Sequence, residues 1–259
     1  MIKDQHLTKG AEENWPRFFD LRFHTLILFL LVFLLNSELA FAHREDYIDE
    51  TLVYVTLEKG EIEPEYWLDT GYRSQEGSDK KVSFLRHSLA TEYGITERWM
   101  IDGRFTLEAV RHEEPVFQSG RFETRYRFFE EGEKPIDVAV SAEVNTERDK
   151  EGRQQPALEP RLILSKDFDQ LNLTLNLPEE IFVRSGKPTF VPSFGLRYNV
   201  MELLRLGTEV RYNTHSQEGS VVPQIWFAFP HGITLKLGYS FGFDHNEESF
   251  GRVAIEAGF

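Results

Sequence analysis

The sequence predicts an all-β fold, a transmembrane antiparallel up-and-down β-barrel of about twelve strands. Three observations predict it. Apolar and polar residues alternate with period two along the chain from residue 61 to its end, the mark of strands with one apolar and one polar face. Most alternating segments run nine to twelve residues, near the roughly 9–11 that a tilted membrane strand needs and above the ~5–6 usual in soluble sheets. The connections between them are alternately long and short, as when long loops leave one end of an outer-membrane barrel and tight turns leave the other.

The chain begins with a segment of a different kind. Leu26–Leu35 reads LILFLLVFLL, preceded by Arg17 and Arg22 and followed by Ala40-Phe41-Ala42. Ten apolar residues are too few to span a bilayer as a helix but suit an export signal, with cleavage expected before His43. Residues 1–42 are therefore read as a signal peptide, 43–60 as a periplasmic N-terminal segment that could instead fold into the lumen, and 61–259 as the barrel. Asp46, Asp49 and Glu50 are expected as a solvated acidic tail. His43, which could chelate copper as a new N-terminus, is expected as a solvated residue.

Twelve strands are expected at 61–72, 82–93, 99–110, 120–130, 136–146, 157–166, 170–178, 189–200, 204–213, 221–229, 232–243 and 250–259. The eleventh is the clearest: Ile233, Leu235, Leu237, Tyr239 and Phe241 share one face, and Thr234, Lys236, Gly238 and Ser240 the other. The fourth sets Phe122, Thr124, Tyr126 and Phe128 against Arg121, Glu123, Arg125 and Arg127. Since the opposing face carries Arg and Glu at mid-strand, the apolar face is assigned to lipid and the charged face to the interior. Tyr66, Trp67, Tyr72, Tyr93, Trp99, Tyr198, Tyr212 and Phe229 near strand ends suit interfacial girdles.

The inward face collects the candidate lumen-lining residues Glu63, Glu65, Arg104, Glu108, Glu123, Arg125, Arg127, Glu143, Arg161, Arg197, Arg211, Arg252 and Glu256. They could line a path for an ionic solute or pair across strands and seal the bore. From Arg104 through Glu123, Arg125, Glu143 and Arg161 the sign alternates between neighbouring strands, which favours pairing. A twelve-stranded bore lies between filled eight-stranded barrels and open sixteen-stranded porins.

Composition excludes several classes. Against 29 Lys+Arg stand 43 Asp+Glu, a net charge of -14, so a general nucleic-acid binder is not expected. With no cysteine there are no disulfides, thiolate metal sites or cysteine nucleophiles. No phosphate loop, dinucleotide fingerprint or zinc spacing appears, and neither a cofactor nor a metal is expected. His87 and Ser88 are sequence neighbours and must point to opposite faces of a strand, while His215 and Ser216 fall in a loop. No lipid-modifying site is therefore expected, and the protein is read as no enzyme. The loop clusters His112, Glu113, Glu114 and Asp244, His245, Glu247, Glu248 are read as solvated.

Three short stretches carry a resemblance. The last residue is Phe259, with Val253, Ile255 and Ala257 at alternate positions before it; this resembles the C-terminal assembly signal of bacterial outer-membrane proteins. Thr91–Trp99, TEYGITERW, and Thr56–Trp67, TLEKGEIEPEYW, resemble a hairpin and a first-strand entry in outer-membrane barrels near the putative transporter and MetA-like phenol-degradation group. The resemblance implies an outer-membrane barrel of a Gram-negative bacterium and little about substrate. The expected partners are outer-membrane lipid, lipopolysaccharide, the barrel-assembly machinery and a small solute. The expected function is a narrow channel or transporter for a small polar or ionic solute, with a sealed structural barrel as the alternative.

Overall fold

In the computed structural model, residues 46–49, 51–74, 81–110, 113–149, 152–243 and 248–259 are described. The expected signal peptide and His43 lie outside them, as do Glu50, His112 and residues 244–247. The described residues form no helix. Their strands are β1 (Ile62–Ser74), β2 (Lys81–Thr96), β3 (Trp99–Val110), β4 (Val116–Arg127), β5 (Asp137–Arg148), β6 (Gln154–Phe168), β7 (Leu171–Phe182), β8 (Pro188–Phe190), β9 (Ser193–Met201), β10 (Leu204–Tyr212), β11 (Gly219–Phe229), β12 (Ile233–Gly242) and β13 (Ser249–Ala257).

Every pairing is antiparallel, and each strand lies beside its sequence neighbour except β8 and β9. β8 and β9 both pair with β7, Ile181 facing Pro188 and Asn176 facing Ser193. They are one stave interrupted at residues 191–192, where Pro192 lacks the N–H that a ladder requires. β1 pairs with β13 from Glu65↔Glu256 to Tyr72↔Ser249, and β6 pairs with β7. The sheet thereby closes into a barrel of twelve staves, and closure removes the exposed edges that an open sheet would leave.

Both ends of the barrel wall meet at what we call the terminal end, where the backbone of Ile62 and Phe259 exchange hydrogen bonds of 3.1 and 3.0 Å. The connections at this end are tight turns with one exception. β4 stops at Arg127, so residues 128–136 form a long connection there and the expected strict alternation of long and short gaps fails at this point. Asp137 accepts from Gly132 N at 2.9 Å, and Arg98 and Arg127 both pair with Glu130. These contacts anchor a connection too long to be a simple turn.

Along each stave, exposure alternates. Phe105, Phe122, Val144, Leu206 and Tyr239 are exposed on the outside, and the buried positions between them are largely polar, including Glu108, Glu123, Glu209 and Lys236. This is an inverted arrangement, with apolar surface outside and charge enclosed.

Candidate functional site

The interior holds a piece of the chain itself. Residues 46–49 and 51–57 run inside the barrel, and Tyr47, Ile48, Leu52, Val53, Tyr54 and Leu57 are each 4% exposed or less. Of the two placements the sequence leaves open for this segment, the lumen is the one found, and the expected periplasmic placement fails for these residues. The physical reason is pairing. A tight turn, Tyr47 N to Thr51 O at 3.0 Å, reverses the chain in mid-barrel, and the wall supplies partners for its backbone. Glu209 accepts from the N–H groups of Asp49 (2.7 Å) and Thr51 (3.0 Å), and Gln224 accepts from Ile48 N at 2.8 Å. The Asn176 amide brackets Leu52, accepting from its N and donating to its O, both at 2.9 Å.

Ion pairs lock the same segment. Arg125 grips Asp46 with two bonds, 3.0 and 2.6 Å, and also donates to the carbonyls of Val53 and Val55. Arg252 holds Asp69 at 2.6 and 2.7 Å and donates to Ile48 O at 2.6 Å. Lys236 donates to Asp46 O at 2.7 Å and pairs with Glu256. Asp46 and Asp49 are thus enclosed and paired, not a solvated tail.

Missing side chains on the wall make the room. A Cβ at Gly195 would lie 2.5 Å from the Tyr47 ring, one at Gly238 would lie 3.0 Å from Ile48, and one at Gly94 would lie 1.8 Å from Glu58 O. Tyr47 then stacks edge-on against Trp226, with centroids 5.9 Å apart. Gly60, at φ +87°, turns the chain from the segment into β1 and donates to Gly94 O at 2.8 Å. The two motifs that carry the family resemblance, around Gly60 and Gly94, therefore meet at this mouth.

On the other side, register assembles a row of acids. Glu63, Glu92, Asp102, Glu123, Glu143 and Glu159 face one another in turn across β1 to β6. Strands of a barrel tilt against its axis, so the row climbs from the terminal end at Glu63 to the loop half of β6 at Glu159. Arginines flank it: Arg104 and Arg121, themselves directly opposed, on the loop side, and Arg125 and Arg161 on the terminal side. Directly opposed positions in these rows thus carry like charges, while opposite signs do pair across neighbouring strands, directly at Arg86–Glu108 and Arg252–Asp69 and diagonally around Arg121. Pairing of the row residues runs between rows or to other elements: Arg121 to Asp102 (3.5 Å) and Glu143 (3.7 Å), Arg104 to Glu65 (3.0 Å), and Arg161 to Glu159 on its own strand.

Above the segment, at the loop end, lies a cavity of about 270 Å³ lined by four arginines (104, 121, 161 and 211) and five glutamates (143, 147, 159, 180 and 218). Ser193 lines it too and accepts from Thr51 Oγ1 at 3.0 Å, which ties the segment to the cavity wall.

No family model matches the chain, and no curated protein does. Solved structures match. The KdgM porin aligns with a TM-score of 0.53 and 10% identity over 74% of this chain and 99% of its own. The NanC porin aligns with a TM-score of 0.52 and 12% identity over 74% and 98%. The chain has the fold of an outer-membrane porin-like barrel. These matches bear on the barrel, and the phenol-degradation group is not confirmed by them.

Within this porin-like barrel, the remaining candidate residues have distinct places. Arg197 is 3% exposed and lies over the rings of Tyr47 (5.8 Å) and Trp226 (6.0 Å). Arg127 leaves the interior for the terminal rim, donating to Glu97 O at 2.9 and 2.7 Å. Glu108 is buried beneath Arg86 (2.6 Å) and Arg73 (2.8 Å), which also hold Glu248. Glu248 is therefore no free loop carboxylate. Burial pushes its carboxyl up, and the two guanidinium groups outweigh that and hold it below the usual range. Val253 and Ile255 lie outside, while Ala257 is enclosed. His87 bonds Tyr66 Oη at 2.7 Å, and Ser88, on the opposite face, bonds Thr106 at 2.8 Å; the two do not form a dyad.

Sequence reading missed the lumenal segment, the acid row and the grouping of Glu63, Glu65 and Glu256. One signal for the segment was present: glycines at inward positions 195, 207 and 238, each a gap in the wall that something else must fill.

Proposed function

We propose that this protein is an outer-membrane channel for a small ionic solute, closed in the present state by its own N-terminal segment. In this reading the terminal end faces the periplasm and the charged cavity opens towards the outside. One observation carries it: the interior is charged, and a tethered segment fills it in place of the wall's own side chains. A barrel built only to be sealed would use large wall residues where Gly195 and Gly238 stand. One of the porins sharing the fold was solved in complex with disordered oligogalacturonate, a polyanion. The cavity here has more glutamates than arginines, so a small cation or zwitterion suits it better than a polyanion.

Planar-bilayer recording tests this. The full chain is expected to show low conductance, and a variant lacking residues 46–58 a steady, cation-preferring one. Asp46→Ala, which loses the Arg125 clasp, is expected to open intermittently. If both variants stay closed, the second reading stands, a sealed structural barrel. The apolar contacts of Tyr47, Val53 and Trp226 favour that reading, since they resist withdrawal.

A further inference from the structure

We propose that the terminal end of the lumen holds a divalent-cation site built by Glu63, Glu65 and Glu256, with Glu92 beside them as a further negative charge. The three carboxylates are buried and come from β1 and β13, and one oxygen from each lies within 4.8 Å of the others. A calcium ion takes carboxylate oxygens at about 2.3–2.6 Å, so two ligands of one ion stand at most roughly 5 Å apart. The observed spacing fits that limit.

Glu92 is the independent observation. It is 8% exposed, faces the same interior directly across from Glu63 on β2, and its side chain makes no hydrogen bond or ion pair among the described residues. Its strand neighbours on both sides are acidic, Glu63 and Asp102. A buried carboxylate is costly unless paired or bound to a metal, and here the wall sets it among others of its kind.

Of the cations nearby, Lys236 pairs with Glu256, Arg104 with Glu65, and Arg125 with Asp46 and Glu123. Glu65 and Glu256 also face each other across the β1–β13 pairing, so a bound ion would clamp the seam where the first strand meets the last. The acid row leads from the cavity to this corner and offers an ion a route.

The test uses terbium as a luminescent calcium substitute, on the full chain purified in detergent micelles and stripped with chelator. Trp67 Nε1 lies 2.9 Å from Glu65 Oε2, close enough to sensitise the bound ion. Exciting the indole is expected to give saturable terbium emission that calcium displaces. Glu63→Gln with Glu256→Gln should abolish it, Glu92→Gln should weaken binding at least tenfold, and Glu248→Gln, in the loop, should leave it unchanged. Absence of saturable emission from the unmodified protein would overturn the proposal. So would unchanged affinity in Glu92→Gln, and that variant decides alone if the double variant does not fold.

Discussion

Two walls face each other across one lumen and handle charge in opposite ways. β1 to β6 set carboxylate against carboxylate, and rows of arginine on either side reach across to hold them. β7 to β13 aim their inward groups at the chain itself: Asn176, Gln224, Glu209, Lys236 and Arg252 clasp the backbone between Asp46 and Leu52, and glycines make room for it. The difference teaches what an enclosed polar wall needs. Where a peptide backbone is at hand, neutral and charged side chains alike satisfy its N–H and C=O groups and the pair of surfaces is closed. Where none is at hand, charged groups must compensate each other, and space for a solute remains. Arg125 belongs to the first wall by sequence and to the second by contact, because it holds Asp46 and two carbonyls of the segment.

The largest expected effect comes from breaking that link. Arg125→Ala leaves Asp46 and Glu123 enclosed without their partner and is expected to cost about 3–5 kcal/mol, the range for removing one member of a buried pair. The loss should be read from the temperature at which the folded band disappears on unboiled gels, with leak conductance rising in the same variant. An unaltered folded band would mean that the other contacts of the segment, those of Glu209, Asn176, Lys236 and Arg252 among them, hold it without Arg125.

Gly195→Ala tests the gap in the second wall. Its Cβ would fall 2.5 Å from the Tyr47 ring, and overpacking of this kind costs about 1–3 kcal/mol. Gly103→Ala is the control on the outer face of the first wall, since a Cβ there meets nothing within 4 Å. Chemical denaturation in micelles should separate the two variants, and equal midpoints would remove the glycine gap from the argument.

Arg121→Ala bears on the cavity. Its ion pairs are long, 3.5 and 3.7 Å, and it faces Arg104 directly, so the stability change is expected to be about 1 kcal/mol or less, the scale of weak pairs. The reversal potential should move towards the cation value in a channel opened by deleting residues 46–58. A shift towards anions would contradict the proposed role of the acid row.

The smallest effect is a pH dependence at the loop end. Because Arg86 and Arg73 hold the Glu248 carboxyl below its ordinary range, its contribution is present above the unfolded carboxylate range and is lost as pH falls through the lowered value. Between those limits, acid unfolding of Glu248→Gln should begin at a higher pH than that of the unmodified chain. Coincident acid transitions would show that the pairing with Arg73 and Arg86 adds nothing.

Much of the barrel was legible in the order of residues alone. Period two in segments such as Gly232–Phe243 named the strands and told their two faces apart, because side chains alternate strictly along a strand. Lys236 at an inward position and Leu237 beside it at an outward one follow from that rule without any knowledge of partners. The boundaries of β3, expected at 99–110 and found at Trp99–Val110, follow from the same alternation. Register did not. Whether Glu123 meets an arginine or another acid depends on a shift of two residues between strands, which leaves every face unchanged and so leaves no trace in the alternation. The bulge at Thr106/Leu107 and the lengths of the turns set that shift. The lumenal segment was hidden for a related reason. Asp46 and Asp49 read as a solvated tail because the groups that enclose them lie far away in sequence. Their partners, Arg125 and Arg252, come from β4 and β13, and closure of the barrel alone brings both to one short stretch of chain.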